Sequence, residues 1–100
     1  MARIPIHPCE VLADDLEALD MSAAELSRRL NVPTNRVTEI LNGQRAITAD
    51  TALRLAHFFG TSAQFWLNLQ SLYELRRAEE QVGMAIRRLP TLARPGQAHT

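Results

Sequence analysis

Apolar residues in this chain recur every three or four positions, the spacing of one helix face, and nowhere alternate in the two-residue rhythm of a strand. The pattern predicts five helices. The lead-in Ile4-Pro5-Ile6-His7-Pro8 is held extended, because the residue before each proline is driven out of helical geometry. With Pro8 at the first helical position, a first helix runs from about Cys9 to Leu19, with Leu12, Leu16 and Leu19 along one face. A second starts at Ser22, where serine followed three residues later by Glu25 reads as a capping box. Leu26 and Leu30 form its apolar stripe and Arg28 and Arg29 face outward. Asn31 ends it, since asparagine tolerates left-handed geometry.

The stretch from Pro33 to Gly43 predicts a short third helix with two distinct faces. Turning residues about 100° apart around the axis puts Val37, Ile40 and Leu41 on one side and Asn35, Glu39 and Asn42 on the other. Thr38 and Arg36 lie on the flanks. A fourth helix, from about Ala49 to Phe59, is capped by Thr48 and closed by Gly60, with Asp50 in its first turn. Leu53, Ala56 and either Phe59 or Leu55 are expected to face inward. A fifth begins near Ser62, carries Phe65, Trp66, Leu69, Leu72 and Tyr73, and fades between Arg77 and Arg88. The expected organisation is one domain over residues 1–88, with a helix-turn-helix at 22–43 and a C-terminal dimerisation helix at about 62–88. Residues 89–100, rich in proline and lacking periodicity, are expected to form a disordered tail.

Two consecutive short helices around Asn31-Val32-Pro33 are the decisive pattern. A helix-turn-helix needs a small residue midway along its first helix, a turn residue that accepts left-handed geometry, and apolar positions in fixed register. Ser27 is the small residue, Asn31 the turn, and Leu26, Leu30, Val32, Val37 and Ile40 the core. The outward residues then acquire expected roles on DNA. Asn35, Thr38 and Glu39 aim at base edges. Arg36 either reads guanine or clamps a phosphate. Thr34 belongs to the same contact set, and Asn42, Gln44 and Arg45 at the helix end are expected on the backbone. Ser22, at the dipole-positive start of the preceding helix, is a further phosphate contact.

Composition narrows the picture without changing it. One hundred residues, 46% apolar and 22% charged, make one ordinary globular domain. No apolar run is long enough to span a bilayer and no secretory signal is evident, so the expectation is a cytoplasmic protein with no membrane association. The single cysteine, Cys9, excludes an intramolecular disulfide and fits a reducing compartment. A net charge of zero argues against non-specific polyanion binding, but the charges are segregated. Glu10, Asp14, Asp15, Glu17 and Asp20 crowd the first twenty residues, whereas Arg28, Arg29, Arg36, Arg45 and Arg54 fall between 21 and 54. The acidic first helix is either a solvated face or a surface for a basic partner. His7 and Cys9 meet no metal-ligand spacing, Cys9 has no evident base, and no phosphate-cradling glycine loop exists; no metal, cofactor or catalysis is expected. Phe58, Phe59, Phe65 and Trp66 cluster where the fourth helix meets the fifth, and most of them are expected in the core. Five short helices cannot enclose every large apolar group, so Trp66, Leu69, Leu72 and Tyr73 are the candidate dimer interface, suiting a two-fold reader of DNA half-sites.

Residues 4–79 also resemble a known family. The strings Ile4-Pro5 with His7-Pro8, Glu25-Leu26 with Arg28-Arg29-Leu30, Val32-Pro33, Asn35-Arg36, Glu39-Ile40 and Asn42-Gly43 carry the likeness. It continues through Ile47 to Ala56, Phe58 to Ser62, Phe65 to Gln70 and Tyr73-Glu74-Leu75. Together they resemble the HigA-type antitoxins, the HigA/VapI branch of the Cro/C1-type helix-turn-helix family. The resemblance implies an all-α, five-helix, lambda-repressor-like DNA-binding domain with a longer C-terminal helix, acting as a homodimer on an inverted-repeat operator. It further implies repression of its own operon and neutralisation of a HigB-type toxin, an endoribonuclease that cuts messenger RNA on the ribosome. Three positions depart from the family pattern: Ala23 replaces a phosphate-contacting glutamine, Asn31 a turn glycine, and Cys9 a glycine. Two alternatives stay open from the sequence: a stand-alone regulator without a toxin, and a protein-interaction module that has lost DNA binding.

Overall fold

A computed structural model describes residues 7–93. Among them the chain forms five helices and no strand: α1 (Pro8–Leu19), α2 (Ala23–Leu30), α3 (Thr34–Leu41), α4 (Ala49–Phe59) and α5 (Ala63–Arg87). The lead-in Ile4-Pro5-Ile6 and the end of the expected tail, residues 94–100, lie outside the described residues.

Local chemistry accounts for the boundaries. Ser22, Thr48 and Ser62 each place a side-chain oxygen to accept a backbone N–H in the first turn of α2, α4 and α5. Asp20 and Asn31 close α1 and α2 in the left-handed region, at φ 53° and 58°. Gly43 follows α3 at φ 74°, where a side chain would be strained. Reciprocal capping is found at α1 rather than at α2. His7 Nδ1 accepts the Cys9 N–H at 2.9 Å, and the Glu10 carboxylate accepts the His7 N–H at 3.0 Å. At α2 only the Ser22 half is made, because the Glu25 carboxylate lies toward Arg29, 3.8 Å away.

The core is one cluster drawn from every helix: Leu12 and Leu16, Leu26 and Leu30, Val37 and Ile40, Ala52, Leu55 and Ala56, and Trp66, with Ile47 from the loop between α3 and α4. Ser27 is buried where α2 crosses α3, its hydroxyl donating to the Ala23 carbonyl at 2.8 Å, so the close crossing leaves no orphaned polar group. Two expected inward positions are corrected. Leu19 is 52% exposed because it lies one turn past Leu16, the last buried residue of α1. Leu53 is 63% exposed because it turns away from the face of α4 that Ala52, Leu55 and Ala56 bury. Of Leu55 and Phe59, Leu55 is the one fully buried, and Phe59 is half-buried.

The dimer-interface expectation needs a larger correction. Trp66 is completely buried inside the protomer, its indole N–H donating to Thr61 Oγ1 at 3.1 Å, so none of its surface is left for a partner. Leu69 packs against the same core, and Tyr73 meets the His7 ring edge-on at a centroid distance of 4.4 Å. Of the four, Leu72 alone presents itself, at 51% exposure. Helix α5 thus has two halves. Its N-terminal part is pinned into the body, and beyond Tyr73 Gly83 is its only buried residue among those described.

His7 joins α1 to α5 and works only as a neutral ring, since Nδ1 must accept a hydrogen bond. Burial holds its pKa below the usual histidine value; Glu10 opposes this and Arg77 adds to it. The unfolded chain therefore takes up the proton first as pH falls, so this stabilisation is complete above the ordinary histidine pKa of about 6.5. It is lost as pH drops from there through the lowered folded value. His7→Asn keeps a capping oxygen and cannot titrate. The fall in melting temperature between pH 7.5 and 5.5 should be smaller in this variant than in the wild type, and an equal fall would refute the assignment.

Candidate nucleic-acid interface

Helix α3 is amphipathic by construction. Val37 and Ile40 are buried and Leu41 is half-buried, which turns the opposite face to solvent. That face carries Thr34, Asn35, Thr38, Glu39 and Asn42, with Arg36 on its flank. Pro33 offers no side-chain cap, so the first amides of α3 are left for solvent or a ligand. Asn35 is exposed and its amide makes no intramolecular hydrogen bond among the described residues. Thr38 Oγ1 donates back to the Asn35 carbonyl at 3.3 Å and keeps its lone pairs outward.

The charged members are not free. Glu39 Oε1 accepts from both Nε and Nη2 of Arg45, at 2.7 and 2.6 Å, leaving Oε2 outward. Arg36 Nη1 donates to Asp50 Oδ2 at 2.7 Å across the gap from α3 to α4. The same oxygen accepts from Arg54 Nε at 2.9 Å, and Arg54 Nη1 donates to the Leu30 carbonyl at 2.8 Å at the end of α2. Hydrogen bonds first from Arg54 and then from Arg36 hold the Asp50 carboxyl below its ordinary value. Exposed pairs of this kind add little to stability, so their consequence is orientation of the side chains.

The loop from Asn42 to Thr48 is held by a residue to which sequence reasoning assigned no role. Gln70, buried on α5, accepts the buried Ile47 N–H at its Oε1 at 2.9 Å and donates from Nε2 to Glu74 at 2.8 Å. A buried amide left unpaired would be costly, so this bond sets the path of the chain that presents Gln44 and Arg45. Ser22 stands at the start of α2, its oxygen accepting the Glu25 N–H at 3.1 Å while its own hydroxyl proton stays free to donate. The structure therefore brings Thr34, Asn35, Arg36, Thr38, Glu39, Asn42, Gln44 and Arg45 onto one surface and sets Ser22 at the head of α2. It adds Asp50, Arg54 and Gln70 behind them. The spacing of Asp50 and Arg54, four apart on one helix, was the only local signal for any of these three.

The acidic residues of α1 make no ion pair among the described residues, and Cys9, whose thiol burial and the nearby Glu10 push up, stays protonated at neutral pH. No helix is long and apolar enough to cross a membrane among the described residues.

The helix-turn-helix family profile matches residues 12–66. Virulence-associated protein I of Dichelobacter nodosus is 49% identical over 76 residues, which cover 75% of this chain and 70% of that protein. Among solved structures, an addiction module antidote protein of the HigA family from Coxiella burnetii is similar at a TM-score of 0.88 and 55% identity, over 91% of this chain and 100% of that one. The Pseudomonas aeruginosa antitoxin HigA, solved with the higBA promoter, is similar at a TM-score of 0.86 and 46% identity, over 90% and 100% of the two chains.

Proposed function

This chain belongs to the Cro/C1-type helix-turn-helix family, in its HigA/VapI branch, and on that premise we propose that it is an antitoxin that represses its own operon and neutralises a HigB-type toxin. The observation that carries the DNA-binding half is α3: a helix whose apolar face is consumed by the core and whose other face is a row of hydrogen-bonding side chains. The similar Pseudomonas protein was solved on promoter DNA, which supports the same use of the surface in this chain.

In the proposed complex α3 lies in the major groove. The Asn35 amide, unengaged in the free protein, has the donor and acceptor that pair bidentately with adenine. Glu39 Oε2, aimed by Arg45, accepts from a cytosine amino group. The Ser22 hydroxyl and the first amides of α2 meet one phosphate strand, and Asn42 and Gln44 meet the other side of the groove. One α3 covers only a half-site, so the reading requires two copies about one helical turn of DNA apart.

The partner copy is proposed to dock on α5. Leu72, Leu75, Glu79, Val82, Ile86 and Leu89 follow one another at steps of three and four, the a/d rhythm of a coiled-coil seam. The apolar five are exposed, and along this half of α5 only Gly83 is buried among the described residues. An exposed stripe of that length on a small domain supports an interface.

Three measurements check this reading. Asn35→Ala should weaken binding to the gene's own upstream inverted repeat by roughly 1–3 kcal/mol per half-site and relax sequence preference there, read by mobility shift; an unchanged preference removes Asn35 from base reading. The pair Leu75→Glu and Val82→Glu should give a helical monomer by sedimentation, while a mutant that stays dimeric moves the interface elsewhere. Co-expression with the product of any small neighbouring reading frame should rescue growth that this product alone arrests. If no neighbour is toxic, the protein is a regulator without a toxin.

A further inference from the structure

Arg36 lies beside the proposed DNA-reading face, and in the free protein it is already committed. Asp50 Oδ2 accepts a hydrogen bond from its Nη1 at 2.7 Å, and Asp50 is itself held by Arg54 Nε at 2.9 Å. Arg54 is anchored in turn to the Leu30 carbonyl at 2.8 Å and reaches the Asn31 carbonyl at 3.4 Å, so the frame runs from the turn of the helix pair through the start of α4 to the flank of α3. A guanidinium carries five N–H donors in a rigid plane. The pair with Asp50 uses one edge of that plane and leaves the others for a second acceptor.

We propose that Asp50 is a specificity-determining positioning residue, holding Arg36 in the one orientation that suits the cognate operator and penalising duplexes that offer phosphate alone. The inference rests on the DNA-binding reading of α3. Two physical effects act together. A long arginine that is already oriented loses less rotamer freedom on meeting its target, which favours the site that matches its geometry. An exposed carboxylate at the rim of the interface works against the phosphate neutralisation from which non-specific binding is built, whatever the base sequence. The first effect raises affinity for the operator alone and the second lowers affinity for every duplex alike, so only the first changes the ratio between them. Glu39 repeats the arrangement with Arg45 further along the same surface, so two of its arginines are held by carboxylates of the chain itself.

The test is fluorescence anisotropy on two labelled duplexes: the gene's own upstream inverted repeat and a shuffled sequence of equal length, at several salt concentrations. The proteins are the wild type, Asp50→Ala, Arg36→Ala and the double variant, each checked for helix content. Asp50→Ala should bind the shuffled duplex more tightly and lose about tenfold in the ratio of operator to shuffled affinity. In the Arg36→Ala background Asp50→Ala should leave that ratio unaltered, because the positioning acts through Arg36. Asp50→Asn, which keeps an oxygen in place, replaces alanine where the helix start loosens, and should show a smaller loss in the same direction. An unchanged ratio in a folded Asp50 variant overturns the proposal, and so does an equal loss in both backgrounds. Operator and shuffled affinities rising in step would make Asp50 a mask, and would overturn it as well. A wild type that fails to distinguish the duplexes overturns the DNA-binding reading and this inference with it, an outcome visible before any substitution is made.

Discussion

A helix of eight residues has too few internal hydrogen bonds to persist alone in water, so α3 exists only because Val37 and Ile40 are buried against the rest of the chain. The remaining features of the surface depend on that burial. Its direction sets which side chains face outward, and Ser27 sets how closely α2 crosses, since its hydroxyl turns back to the Ala23 carbonyl instead of into the partner helix. Asn31, left-handed at φ 58°, then turns the chain within three residues so that α3 starts where α2 leaves off. A larger residue at 27, or one intolerant of positive φ at 31, would rotate or displace the whole reading face.

The electrostatics of that face are those of a selective binder. A chain of zero net charge cannot rely on bulk attraction to a polyanion. Here the arginines around α3 are held by Asp50 and Glu39, and their positions are defined by the turn, by α4 and by the loop that Gln70 pins through Ile47. Charge is placed at fixed points and partly cancelled between them, which favours geometry over quantity in any contact made with nucleic acid.

Helix α5 divides its work along its length. Trp66 and Gln70 anchor the first half, one by filling the centre of the core and the other by satisfying a buried backbone amide. The second half shows the same apolar periodicity with little of the chain against it. This is why a hydrophobic residue could be assigned to an interface only by its depth: Trp66 and Leu72 lie less than two turns apart and have opposite fates.

Much was legible in the residues themselves. Helix number, the caps at Ser22, Thr48 and Ser62, the turn at Asn31 and the two faces of α3 follow from backbone sterics and a 3.6-residue period, both local properties. The candidate reading residues followed from the same period, whereas the resemblance to the family rested on particular strings of residues such as Asn35-Arg36 and Asn42-Gly43. Burial of Trp66, exposure of Leu19 and Leu53, the Arg36–Asp50–Arg54 frame and the Gln70–Ile47 bond were not legible. Each depends on which helix lies over which, and apart from the Asp50–Arg54 pair the bonds join residues 14 to 24 apart, whose spacing follows no local rule. A single sequence states which side of a helix is apolar. Only packing decides whether a neighbour covers it, and which charges then meet.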